Sequence, residues 1–194
     1  MMPNTIDVNI SLISRLFDLT PSAAVKGDAP MFIGGDEESG EPDVLIAEEE
    51  PDDDRDATDT IRFAGDGTLT VLGDCLELSY DESALIGMEG CRTTLRFDKA
   101  RGMVTMMRSG AASVTMIFSI SEPRQHSMYD TGIPGFPLEL CVNTRRLSDS
   151  VSLTGGSLEI DYVIELRGVP TERTVLRLEV VPKNEDATIL FEHE

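Results

Sequence analysis

The side chain with most chemical consequence for the interior of this chain is Arg108. Val104, Met106 and Arg108 share one face of the strand-like segment from Gly102 to Arg108. If that face looks inward, a guanidinium enters an apolar lumen. Arginine cannot shed its proton there, and an unpaired buried charge is too costly to persist. It then requires a carboxylate, a set of carbonyls or an anionic ligand. Asp149, between Leu147 and Val151, is in phase with an inward face, so an internal Arg108–Asp149 pair is expected. Inward Tyr129, Thr131, Thr144 and Tyr162 would add the few polar handles that an otherwise apolar pocket needs. With the opposite phase, Met103, Thr105 and Met107 face inward and Arg108 belongs to the surface.

Catalytic chemistry finds less support. The chain has two histidines, His126 and His193, and a Ser-His-Asp triad would have to use one of them. His126, in Arg124-Gln125-His126, reads as an ordinary surface histidine. There is no Gly-x-Ser-x-Gly elbow, no His-Glu-x-x-His pair and no phosphate-binding glycine loop. Asp52-x-Asp54-x-Asp56 begins like an EF-hand loop. Ala57 and Phe63 stand where that loop needs its glycine and its bidentate glutamate. No catalytic residue, metal site or cofactor is therefore expected. Met103, Met106, Met107, Met116 and Met128 fall on three neighbouring strands, as a pliable core or as an adaptable wall for an apolar ligand.

The elements that must position these residues show in the alternation. Leu158, Ile160, Tyr162, Ile164 and Leu166 point one way, and Ser157, Glu159, Asp161, Glu165 and Arg167 the other, with Val163 the one apolar intruder. Thr174, Leu176, Leu178 and Val180 alternate with Arg173, Arg177 and Glu179 in the same manner. Gly168-Val169-Pro170 supplies the turn between the two runs, and Gly155-Gly156 a hairpin before them. Weaker alternation covers Ile6 to Leu12, Leu76 to Tyr80, Cys91 to Phe97, Gly102 to Arg108, Ser113 to Ser121, Arg124 to Thr131, Pro137 to Thr144 and Leu147 to Leu153, each read as a separate strand. Gly65-Asp66-Gly67 reads as a turn, and Leu12 to Leu19 could form a short turn of helix. Strands at this spacing predict an all-β domain, an antiparallel up-and-down barrel of about eight to ten strands. The inward Leu, Ile and Met sets favour a filled or narrow lumen.

Composition bounds the partners. The formal charge is −20, which repels phosphate backbones and anionic lipid, so neither nucleic acid nor a membrane surface is an expected partner. From Thr20 to Ala57, thirteen acids oppose Lys26 and Arg55, a local charge of −13 + 2 = −11. Residues 20–57 therefore read as a flexible acidic insertion after the first strand, and residues 183–194 as a loose tail, within one domain spanning 1–194. Three cysteines, an odd number, together with no export signal and no long apolar run, fit free thiols in a cytoplasmic protein. Cys91 shares the phase of Leu95 and Phe97 and is expected inside. Cys75 and Cys141 are out of phase with their inward neighbours and are expected to react faster.

Several pieces resemble one family in their order and spacing. They are Leu-Ser-Tyr-Asp-Glu-Ser (78–83), Met-Arg-Ser-Gly (107–110), Met-Ile-Phe (116–118), Met-Tyr-Asp-Thr-Gly (128–132), Asn-Thr (143–144) and Gly-Gly-Ser-Leu-Glu-Ile-Asp-Tyr (155–162). Together they resemble the YwiB-like family of calycin-type barrels, small bacterial proteins carried as a domain of unknown function. The likeness spans about residues 58–182, with 5–16 as a first strand, and the acidic insertion departs from the compact family pattern. It implies a lipocalin-like barrel and no reaction. The context around Arg108-Ser109-Gly110 favours the inward setting of Arg108.

Two functions remain open. One is a binding module, monomer or homodimer, holding a small, partly apolar molecule in or at the mouth of the barrel. The other is an interaction protein with a side-chain-filled barrel whose acidic insertion contacts a basic protein. If the acidic stretch carries no part of the fold, joining Leu19 to Thr58 through a short Gly-Ser linker leaves thermal stability nearly unchanged. A loss of several kcal/mol in thermal unfolding would show that it packs on the barrel.

Overall fold

In a computed structural model of the chain, which describes residues 4–20, 57–82, 90–110 and 113–183, the alternation becomes ten strands. They are β1 (Thr5–Asp18), β2 (Asp59–Leu72), β3 (Cys75–Asp81), β4 (Arg92–Asp98), β5 (Met103–Ser109), β6 (Ser113–Ser119), β7 (Arg124–Asp130), β8 (Leu138–Asp149), β9 (Gly156–Leu166) and β10 (Val169–Pro182). Each pairs antiparallel with its neighbour in sequence, and β1 also pairs with β10, so the meander closes into a barrel. No helix occurs among the described residues, and none there could cross a membrane. The acidic stretch 20–57 and the tail 183–194 lie outside the described residues apart from Thr20, Ala57 and Lys183. The Lys183 amide donates to the Asp7 carbonyl, which carries the β10 pairing one residue further.

Three local readings are corrected. Leu12 to Leu19 forms no helix, because β1 continues as a strand to Asp18. Gly65-Asp66-Gly67 forms no turn, since β2 runs straight through it. A Cβ on Gly65 would meet the Phe63 ring at 2.7 Å, and one on Gly67 would meet the Ser79 carbonyl at 3.1 Å. These glycines permit close approach within a strand, the other common meaning of glycine there. The segments on either side of Arg145 are one strand, β8, with a register shift between Thr144 and Arg146. The extra residue keeps both halves in phase, Leu140, Val142 and Thr144 before it and Leu147 after it.

The lumen is filled in layers that the register defines. Leu78, Leu95, Met106 and Met116 stand side by side on β3 to β6, with Leu76, Phe97, Val104 and Phe118 in the next layer. Leu69, Leu158, Ile160 and Leu178 close the same core from the other strands. Layers of large side chains at this diameter leave little space, which agrees with a narrow lumen.

The outer face holds a second correction. Asp161, Glu165 and Arg173 point outward, as their phase requires, yet all three are buried rather than wet. Arg173 forks onto Asp161 at 3.0 and 2.8 Å and lies over the Phe17 ring at 5.3 Å, beside buried Val163 and Val175. Arg124 forks onto Glu165 at 3.0 and 2.7 Å, spanning from β7 to β9 across the outer face of β8. Cys141 stands on that face, paired in register with His126 and Glu165, and is buried there. Its outward phase is therefore no guide to its exposure. Cys91 is buried as expected, and Cys75 is half-buried. All three thiols are free. Cys75 should accordingly label first with a thiol reagent under native conditions, with Cys91 and Cys141 much slower. Labelling of Cys141 ahead of Cys75 would contradict the covered outer face.

Candidate functional site

Arg108 faces inward. It continues the phase of buried Val104 and Met106, and one register row runs Tyr80–Thr93–Arg108–Val114 across β3 to β6. Its partner is not Asp149. Glu82, one residue past the end of β3, accepts from Arg108 Nε at 3.0 Å and Nη2 at 2.9 Å. The same oxygen, Oε1, accepts the Thr93 hydroxyl at 2.5 Å. The Glu82 amide donates to the Cys91 carbonyl, so the backbone that carries this carboxylate is itself held by the residue just before β4. Glu82 Oε2 is buried and has no hydrogen-bond partner among the described residues.

Asp149 lies at the opposite end of the barrel. There it pairs with Lys99 and caps the Val151 amide at 2.9 Å. Two acids were thus in phase with inward faces, and the nearer one was missed. Leu76, Leu78, Tyr80 and Glu82 keep a single alternation, a signal present in the sequence that ends beyond the apolar part of the strand. Register decides between the two acids, because Glu82 and Arg108 flank Thr93 at one end while Asp149 pairs with Leu158 at the other.

A cavity of about 100 Å³ adjoins the pair. Met106 and Met116 form one wall, and Leu12 and Leu176 another. Phe63 and Tyr80 stack at 5.6 Å between ring centres and close a third side. The Phe63 ring can lie back along β2 because Gly65 has no side chain. Tyr162, tilted against Phe118 at 4.9 Å, lines the cavity from β9. Burial, followed by the Glu82 carboxylate, raises the Tyr80 pKa above the ordinary phenol value, against the opposing effects of Arg108 and Thr93. Burial also raises that of Tyr162, with the Thr174 hydroxyl acting the other way. Both phenols therefore keep their protons at neutral pH and act as donors or acceptors, not as charges.

Of the six residues expected to form a site, Arg108 and Tyr162 line this cavity together. Tyr129 is half-buried, two strands from Arg108 along the same register row, and packs against the core. Thr131 serves the β7–β8 loop, donating to the Phe136 carbonyl at 3.1 Å. Thr144 is buried and accepts the Ser119 amide at 3.3 Å. Met106 and Met116 belong to the wall, whereas Met128 is exposed. His126 is exposed and has Glu139 at 3.5 Å as a neighbour.

Residues 46–178 match the family described as a domain of unknown function (DUF1934). The crystal structure of the YwiB protein from Bacillus subtilis resembles this fold with a TM-score of 0.59, over 91% of this chain and 94% of that one, at 16% sequence identity. At that identity the likeness speaks for the fold alone. None of the curated proteins matches the chain.

The Arg108–Glu82 assignment has a direct test in stability. Arg108→Met leaves a carboxylate buried without its counter-ion and should cost about 3 kcal/mol, the low end for breaking a buried pair from one side. Adding Glu82→Leu should recover part of that loss, while Asp149→Asn should simply add to it. Urea unfolding of the two double mutants measures both couplings. Additive effects for Arg108 and Glu82 would sink the pair.

Proposed function

The chain belongs to the DUF1934 family, and on that premise we propose that it is a non-catalytic module that binds a small, partly apolar molecule at one end of its barrel. The observation that carries this reading is Glu82, a buried carboxylate that lines an apolar cavity and whose Oε2 has no partner among the described residues. A buried charged acceptor without a donor is costly, and a bound polar group is the direct way to satisfy it. The surroundings fit a pocket of the ordinary kind, apolar walls with a few convergent polar groups. A cavity of about 100 Å³ is smaller than the ~150 Å³ that accepts benzene. It takes a polar head and a short apolar segment, and any larger part of the ligand must extend beyond it.

The remaining properties follow from composition and placement. A charge of −20 disfavours nucleic acid and anionic membranes as partners. The outward rows of β9, β10 and β1 carry charged side chains such as Glu159, Arg177 and Arg15, unlike the apolar band of a membrane barrel. This supports a cytoplasmic monomer or homodimer. Among the described residues His126 stands beside Glu139 and no nucleophile is paired with it, which supports a role without catalysis. The interaction-protein reading has one observation of its own: Met128, Ile133, Phe136 and Leu138, on the β7–β8 loop and the strand ends it joins, are exposed apolar residues.

Native mass spectrometry of the protein isolated from its own source separates these readings. Binding of a small molecule predicts an adduct that is absent from a Met116→Trp variant, in which the cavity is filled. A co-purifying basic protein in place of the adduct favours the interaction reading, and a bare chain mass in both proteins counts against the small-ligand reading.

A further inference from the structure

The two oxygens of Glu82 are used unequally. Oε1 takes Arg108 Nε, Arg108 Nη2 and the Thr93 hydroxyl, at 3.0, 2.9 and 2.5 Å. Oε2 is buried and takes no donor among the described residues. A carboxylate offers about four lone-pair sites, so the face of Glu82 left over is purely an acceptor. Whatever completes it must donate. An ionised carboxylate cannot donate, and a phosphate would bring its own negative charge against Glu82. Both would also meet the field of a chain carrying −20, and the guanidinium that might have held them is already engaged by Glu82.

We propose that this site takes a small organic cation, a protonated amine on a short apolar body, with its ammonium on Glu82 Oε2. The inference rests on the reading of the cavity as a ligand site. Three features favour a cation over a neutral donor. A charge-assisted hydrogen bond is roughly twice as strong as a neutral one. The net charge raises the local concentration of cations. The stacked Phe63 and Tyr80 rings line the same cavity and offer π faces to a positive group. Arg108 opposes a second cation, but its charge is matched by Glu82 from the Oε1 side. The carbon chain then lies among Met106, Met116 and Leu176. The competing occupant is water, since about 100 Å³ has room for about three molecules.

The test uses one carbon skeleton with three heads: butylammonium, butanol and butyrate, titrated into the full chain and followed by NMR chemical shifts. Butylammonium should bind about tenfold more tightly than butanol, the ratio expected when a neutral hydrogen bond becomes a charged one. Butyrate should bind least. The preference should persist at about 1 M salt, where the screening length is about 3 Å and attraction to the general surface is lost. It should disappear in Glu82→Gln, which keeps the shape and removes the charge. If that variant does not fold, the ranking of the three heads on the unaltered chain decides alone. Equal binding of all three, tighter binding of butyrate, or loss of the ammonium preference in high salt overturns the cation assignment while leaving a ligand site. If none of the three binds, the ligand-site reading itself falls, and the cation with it.

Discussion

Closure through β1 is the constraint on which the rest of the structure depends. β1 pairs with β10 over eleven residues and with β2 over twelve, so the first strand has no free edge. An open sheet of this length would present rows of unpaired backbone groups to any passing chain. Closing it turns one face of every strand into a lumen with a fixed volume. Each inward side chain is then judged by what fills that volume, and each inward charge by whether it finds a partner there.

The lumen is settled mostly by bulk. Phe97, Phe118 and a surrounding set of Leu, Ile and Val fill much of it, and space remains beside side chains that are missing or pliable. Gly65 and Gly67 remove two side chains from β2, and the Phe63 ring folds back over one of them. Met106 and Met116 face each other across β5 and β6 and can adjust to what lies between them. The cavity is therefore next to the glycines and methionines. The Arg108–Glu82 pair is also there, where strand ends let a guanidinium reach partly to solvent.

Charges outside the barrel follow different rules from those inside. Asp161–Arg173 and Arg124–Glu165 lie against the sheet as forks, and Asp161, Arg173 and Glu165 are buried there although their strands point them outward, while Arg124 stays exposed. Each fork satisfies both partners' facing atoms, so burial is tolerated and the apolar intruder Val163 is covered along with Cys141. Inside, Glu82 meets Arg108 through one oxygen only.

By itself the sequence determined the class of fold and the inward and outward phase of nearly every strand, while it left two phases open for Arg108 that the structure settles inward. Class and phase are properties of a period of two, which each strand carries locally. The tertiary structure alone decided which acid meets Arg108. Glu82 and Asp149 are both in phase, but they stand at opposite ends of the lumen, and register across several strands settles the choice. It also decided that Gly65 and Gly67 continue a strand, because a glycine signals either a turn or a close approach, and only the neighbour across the sheet distinguishes them. The burial of Cys141, Asp161 and Glu165 belongs to the same group. Alternation says which way a side chain points, whereas exposure depends on what reaches over it from strands far away in the chain.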